Sequence, residues 1–160
     1  MKHYQIIIAI LAVVVSFVSC GSSGSDETPT YVEPTIPQHN APQWNTVVDV
    51  VKPNEKYPTD LTAYIQLPSS ISAYSSNADE MAAFCGDEVR GVGTFIWDET
   101  SKDGVWCIRI WGNVGEKITL RYYCGTNRYM YHSTETIVLQ DDEHLGTFDD
   151  PRLMSFDVDK

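Results

Sequence analysis

The sequence predicts an all-β protein: a single antiparallel β-sandwich domain, immunoglobulin-like or related, behind a signal peptide and a flexible tether. Three observations carry that expectation. From about Trp44 the apolar residues recur with a period of two, as strands with one buried face require. Turn-forming residues divide this region into about eight or nine short runs, one roughly every 8–12 residues. No run in it carries an apolar stripe of helical period between capping residues.

Residues 1–19 read as a secretory signal: Lys2 and His3, then the apolar run from Ile6 to Val15, then small residues up to Ser19. The apolar stretch is shorter than the roughly 20 residues of a comfortable membrane span. Val18-Ser19-Cys20-Gly21 resembles a bacterial lipobox, in which the cysteine thiol receives diacylglycerol and becomes the new N-terminus after cleavage. Cys20 is therefore the expected lipidation site, and a membrane is a partner through the N-terminal lipid. Each buried methylene of such an anchor contributes about 0.8 kcal/mol, and two or more chains hold durably. Residues 20–42 are expected to be the lipidated cysteine and a disordered tether. Gly21 to Glu27 is small, polar and flexible, and Pro29, Pro34, Pro37 and Pro42 stiffen the remainder of the tether. A Gly/Ser/acidic run directly after the cysteine resembles the surface-export signals of Bacteroidota lipoproteins. As a solvated linker it equally lets a domain clear the membrane.

The β domain is expected over residues 43–160. Thr46 to Val51 is a strand candidate, and Leu61, Ala63, Ile65 and Leu67 alternate with Thr62, Tyr64 and Gln66. Met81 to Gly86 and Val89 to Trp97 come next, with Gly86, Gly91 and Gly93 as sites of breaks or bulges. Asp98 to Gly104 is a turn. Val105 to Trp111 and Lys117 to Cys124 read as a hairpin about Gly112-Asn113-Val114-Gly115-Glu116. Gly125-Thr126-Asn127 turns the chain into Arg128 to His132, then Glu135 to Leu139. A loop from Gln140 to Pro151 precedes the last run, Arg152 to Val158. Strand parity sends Trp106, Ile108, Ile110, Ile118, Leu120 and Tyr122 inward. It sends Cys107, Arg109, Trp111, Thr119, Arg121 and Tyr123 to the opposite face.

Asp79-Glu80-Met81-Ala82-Ala83-Phe84-Cys85-Gly86-Asp87-Glu88-Val89-Arg90-Gly91-Val92 resembles the "DEIAAFVGDECRGVA" signature of a small β-sandwich module. That module recurs in surface and secreted proteins of Bacteroidota. The likeness continues through Ile108 to Asn113, Gly115 to Tyr123 and Leu145 to Pro151, and so spans roughly Asp60 to Phe156. It implies an antiparallel sandwich used as an extracellular module, and it transfers no catalytic residues. The chain departs from the signature at Val89, where the module has cysteine, and at Cys85, where an aliphatic residue is usual. No disulfide pairing carries over.

Charge and cysteine usage bound the function. Cleavage after Ser19 removes one lysine and no acid, moving the net charge from −11 to −12 over 141 residues. So acidic a surface excludes nucleic acid as a partner, because phosphates demand Lys and Arg. It also argues against adhesion to anionic headgroups by charge. With Cys20 lipidated, Cys85, Cys107 and Cys124 remain, an odd set without metal-ligand spacing. They read as small buried hydrophobes, or as one disulfide and a leftover thiol. The parity of Cys107 and Cys124 argues against those two pairing.

Candidate chemistry is sparse. Acidic pairs stand at turns and strand ends, and the calcium candidates among them are Asp141, Asp142 and Asp149. Otherwise no cofactor is expected. Arg90 reads as a structural fork for nearby carboxylates or carbonyls, with Asp87 and Glu88 as first partners. No nucleophile elbow or phosphate loop is present, and no catalytic residue is assigned. Aromatics are the remaining signal: Trp111, Arg109, Arg121 and Tyr123 form a candidate ligand strip, flat and hydrogen-bonding, of the kind that suits a sugar ring. The same strip reads more readily as covered or structural. The expected function is a lipid-anchored, non-catalytic binding module of the bacterial outer membrane, facing the cell surface or the periplasm, with a glycan or an envelope protein as partner. The alternatives are a purely structural accessory of an envelope assembly and, third, a carboxylate-dependent hydrolase.

Overall fold

Period-two alternation becomes ten strands in the computed structural model, which describes residues 35–44, 56–99, 103–141 and 143–160. The signal segment, Cys20, most of the expected tether, the strand candidate Thr46 to Val51 and Asp142 lie outside the described residues. The elements are β1 (Thr59–Gln66), α1 (Ser69–Ser72), β2 (Glu80–Cys85), β3 (Glu88–Asp98), β4 (Asp103–Gly112) and β5 (Lys117–Cys124). After them come β6 (Tyr129–Ser133), β7 (Ile137–Val138), β8 (Glu143–Leu145), β9 (Arg152–Leu153) and β10 (Phe156–Val158). The class is all-β, as the periodicity predicts. α1 is a single turn entered from Pro68 that tucks Ile71 into the core.

The strands form one sheet in the order β10-β6-β5-β2-β3-β4-β1-β8, with β7 on β5 and β9 on β1. It curls until its two halves share a core. Leu61, Ala63 and Ile65 of β1 and Trp106, Ile108 and Ile110 of β4 meet Met81 and Ala83 of β2 and Ile118, Leu120 and Tyr122 of β5. The Trp106 and Tyr122 rings meet edge to face with centroids 6.0 Å apart, although β2 and β3 separate their strands in the sheet. Burying an aliphatic or aromatic side chain contributes about 1.5–3 kcal/mol, and the six residues assigned inward by parity are all buried.

β3 makes the curl. Its first residues pair with β2 and its last with β4. At the change of partner, Ala83 faces Gly91 while Phe84 faces Val89, so Arg90 is the extra residue of a β-bulge. A Cβ at Gly91 would lie 2.3 Å from the Arg109 carbonyl oxygen, and one at Gly93 would lie 2.9 Å from the Trp106 ring. Only glycine lets the crossing backbone come this close.

Two sequence expectations need correction. Val105 to Trp111 and Lys117 to Cys124 do not form a hairpin: β4 pairs with β3 and β1, and β5 with β2, β6 and β7. Their connection is an arch from one half of the sheet to the other. Its Gly115 N–H donates to the Leu139 carbonyl at 2.8 Å, and Leu139 N–H returns a bond to Glu116 at 2.9 Å. Nor is the pairing purely antiparallel, since β8 and β9 run parallel to β1. β8 follows β1 only after β2 to β7, a path long enough to return in the same direction where a tight turn would have reversed it.

Candidate functional site

Both faces of β2 are buried. Met81 and Ala83 enter the main core, while Ala82 and Phe84 join Val89 in a smaller cluster on the outer face. Apolar groups on an outer face need cover, and residues 39–44 supply it. His39 N–H donates to the Arg128 carbonyl at 2.8 Å. In return Arg128 Nε donates to the His39 carbonyl at 3.1 Å, and Arg128 Nη2 to Asn40 Oδ1 at 2.9 Å. At the other end the Glu80 carboxylate accepts the N–H groups of Gln43 at 3.3 Å and Trp44 at 3.1 Å. Gln43 (φ 54°) and Arg128 (φ 62°) both take the left-handed conformation, uncommon away from glycine. The Trp44 ring then meets Phe84 edge to face at 5.6 Å. The last residues of the expected tether, His39 to Pro42, therefore belong to the domain.

Between this strap and the sheet lies a cleft of about 560 Å³, lined by His39, Pro42, Trp44, Arg121, Met130, His132 and Asp159. That volume is within the usual range for small-ligand sites. Arg121 and His132 are direct cross-strand partners on β5 and β6. The Arg121 guanidinium lies 4.2 Å over the Phe84 ring and reaches the exposed Asp87 at 3.3 Å. His132 Nδ1 is hydrogen-bonded to Asp159 Oδ1 at 2.8 Å, which holds the imidazole in one orientation. His39 Nε2 is closed to solvent without a hydrogen-bond partner, so its bonding capacity is unused. The cleft joins a flat apolar ring to a rim of nitrogen donors and one lining carboxylate.

The four-residue strip read from the sequence is not brought together. Arg109 and Trp111 lie on β4 and Arg121 and Tyr123 on β5, strands of opposite halves whose outer faces point apart. Trp111 is 3% exposed and stacked under the Arg109 guanidinium at 4.5 Å, while Arg109 clasps Asp60 with Nε at 2.8 Å. Tyr123 is 5% exposed, its hydroxyl donating to the His39 carbonyl at 3.5 Å. Parity assigned the face correctly but could not see what lies over it. Of the four, only Arg121 lines the cleft. The other lining residues carry no local signal, because His39 and Pro42 sit in a proline-rich run and His132 stands alone in the sequence. A tryptophan closing a solvated linker was the available signal.

Arg90, aimed by the bulge, has a side chain only 6% exposed. Its Nη1 and Nη2 donate to the Glu116 carboxylate at 2.7 and 3.2 Å, Nη1 also reaches the Trp111 carbonyl at 3.3 Å, and Tyr57 stacks at 4.2 Å. Glu88, expected as a first partner, is at 3.6 Å from Nε and is also bound by Lys56 and the Tyr57 hydroxyl. Asp87 instead faces Arg121. A Cβ on Gly112 would sit 2.5 Å from Glu116 Oε2, so the missing side chain makes room for the pair. Although burial works against it, hydrogen bonding from Arg90 and Asn113 leaves the Glu116 carboxyl below its ordinary value. The Lys56 and Tyr57 hydrogen bonds lower that of Glu88. This cluster ties β3 to the arch and is a structural clamp.

Of the calcium candidates, Asp141 accepts a hydrogen bond from the Thr59 hydroxyl, Asp149 stands on the exposed loop between β8 and β9, and Asp142 is outside the described residues. Among the described residues no group of three or more His, Cys, Asp or Glu is placed to hold a metal ion. Cys85, Cys107 and Cys124 are all unpaired thiols. No family model matches the chain, and neither does any curated protein or solved structure.

Proposed function

We propose that this chain is a lipid-anchored binding module of the bacterial envelope, and that it binds glycan in the cleft beneath residues 39–44. The observation that carries this reading is the pairing of the Trp44 ring with Arg121, His132 and Asp159 around one open volume of about 560 Å³. A pyranose has an apolar face that stacks on an indole and a rim of hydroxyls that both donate and accept. Arg121 donates, and His132, its Nδ1 held by Asp159, meets hydroxyls through Nε2. The strap includes the last residues of the expected tether, His39 to Pro42.

A glycan array probed with the Cys20→Ala protein tests the binding. The expected result is a confined set of saccharide hits that Trp44→Ala and His132→Ala each reduce at least tenfold. An array without hits, or hits untouched by both variants, overturns the reading. For the anchor, the intact chain expressed in a bacterial host is expected to incorporate labelled fatty acid and to sediment with membranes. Cys20→Ala should abolish the label and release the protein, and a label retained in that variant refutes the assignment.

A further inference from the structure

Resting on the glycan reading of the same cleft, we infer that its ligand is an anionic saccharide, one whose ring carries a carboxylate. The chain as a whole is strongly acidic, yet this cleft is lined by one arginine, two histidines and a single carboxylate. That carboxylate, Asp159, is already occupied by His132 Nδ1. Of the neighbouring acids two are engaged, while Asp157 stands exposed on β10 as the cross-strand partner of His132. Glu80 receives the two strap N–H groups, and Asp87 faces Arg121 from a fully exposed position through one 3.3 Å contact. Arg128 adds a second cation at the strap, where its partners are neutral oxygens of His39 and Asn40.

Arg121 decides the chemistry. Its guanidinium is braced against the Phe84 ring at 4.2 Å, which fixes its plane, and its carboxylate contact among the described residues, Asp87, can be exchanged for a ligand at little cost because Asp87 then returns to water. A guanidinium so held presents a fork that matches a carboxylate with two hydrogen bonds. The remote acidic charges do not prevent this. At physiological ionic strength the screening length is about 8 Å, so acids farther away than that act on Arg121 only weakly. A sugar acid with its ring on Trp44 and its carboxylate toward Arg121 uses both features, whereas a neutral sugar leaves the cation unanswered.

Native gel electrophoresis of the Cys20→Ala protein through embedded polysaccharide tests the inference. The probes are polygalacturonate, alginate and hyaluronate, with methyl-esterified polygalacturonate and dextran as uncharged comparisons. Retardation by at least one carboxylated polymer is expected. Arg121→Gln should weaken it at least tenfold, as should raising the salt to about 0.5 M, where the screening length falls well below 8 Å, and esterification should abolish it. Arg121 is partly exposed, so the variant is expected to fold, and an unchanged melting temperature checks this. Retardation by dextran or the ester equal to that by the acids, and unaffected by Arg121→Gln, overturns the inference while leaving the glycan site standing. Failure of every polysaccharide overturns both.

Discussion

Arg90 shows how much one side chain depends on its surroundings. A guanidinium removed from water needs partners, and Glu116, the Trp111 carbonyl and the Tyr57 ring answer its Nη groups and its face, while buried Nε makes no hydrogen bond. Glu116→Gln leaves the cation buried beside a neutral amide. It is expected to lower unfolding free energy by about 2 kcal/mol in urea titration, toward the lower end for charged hydrogen bonds because Glu116 is part-exposed. The pH dependence has a definite sign. The folded Glu116 carboxyl lies below its ordinary value of 4.5, so its contribution is complete above that pH and drains away as pH falls through the lower folded value. Acid titration of stability should therefore be flatter below pH 4.5 in Glu116→Gln than in the parent. Equal slopes would remove the clamp from the account. Arg90 was recognised in the sequence as a structural fork, but Glu116 was not, because a bulge redirects the side chain toward a residue 26 positions away.

At the scale of elements, β3 is where the fold is made. Its alternation was legible and so were its glycines, read as breaks or bulges. What each glycine permits depends on the opposite strand: Gly91 passes the Arg109 carbonyl and Gly93 the Trp106 ring. Gly91→Ala would place a methyl group against rigid backbone, and a loss of about 3 kcal/mol is expected, at the upper end of overpacking costs. Gly86→Ala meets nothing within 4 Å, though its φ of +61° disfavours a side chain, so a smaller loss of about 1 kcal/mol is expected. Chemical denaturation of the two variants ranks them, and a Gly91 variant as stable as the Gly86 variant would contradict the crossing at β3. The false hairpin between β4 and β5 belongs to this scale too. Gly112 to Glu116 has the composition of a tight turn, and composition does not distinguish a hairpin from an arch.

For the molecule as a whole, the curled sheet sorts the cysteines. Cys124 is fully buried with its thiol directed to the Tyr74 carbonyl at 3.5 Å, while Cys85 and Cys107 are part-exposed. In the Cys20→Ala protein a thiol reagent should label two sites in the native state and the third only on unfolding, since reaction requires access. Mass spectrometry of the partly labelled protein should place the slow site at Cys124, and a disulfide between any two of the three would refute the arrangement. The candidate cleft is likewise a property of the whole. It joins residue 39 to residue 159 through two strands between them, and of its lining residues the sequence marks Arg121 alone as a ligand candidate.

The sequence by itself determined the all-β class, the position of most strands and the buried parity of β1, β4 and β5. These come from local alternation, which a single strand displays without its neighbours. Tertiary structure alone decided which strands pair, that the sheet curls through β3, that Trp111 and Tyr123 are covered, and that residues 39–44 fold back onto Phe84 to enclose a cleft. Each of those outcomes is a contact between distant parts of the chain. Its free energy comes from burying surfaces that meet only once the backbone has turned, and period-two patterning records that a face is buried without recording what buries it.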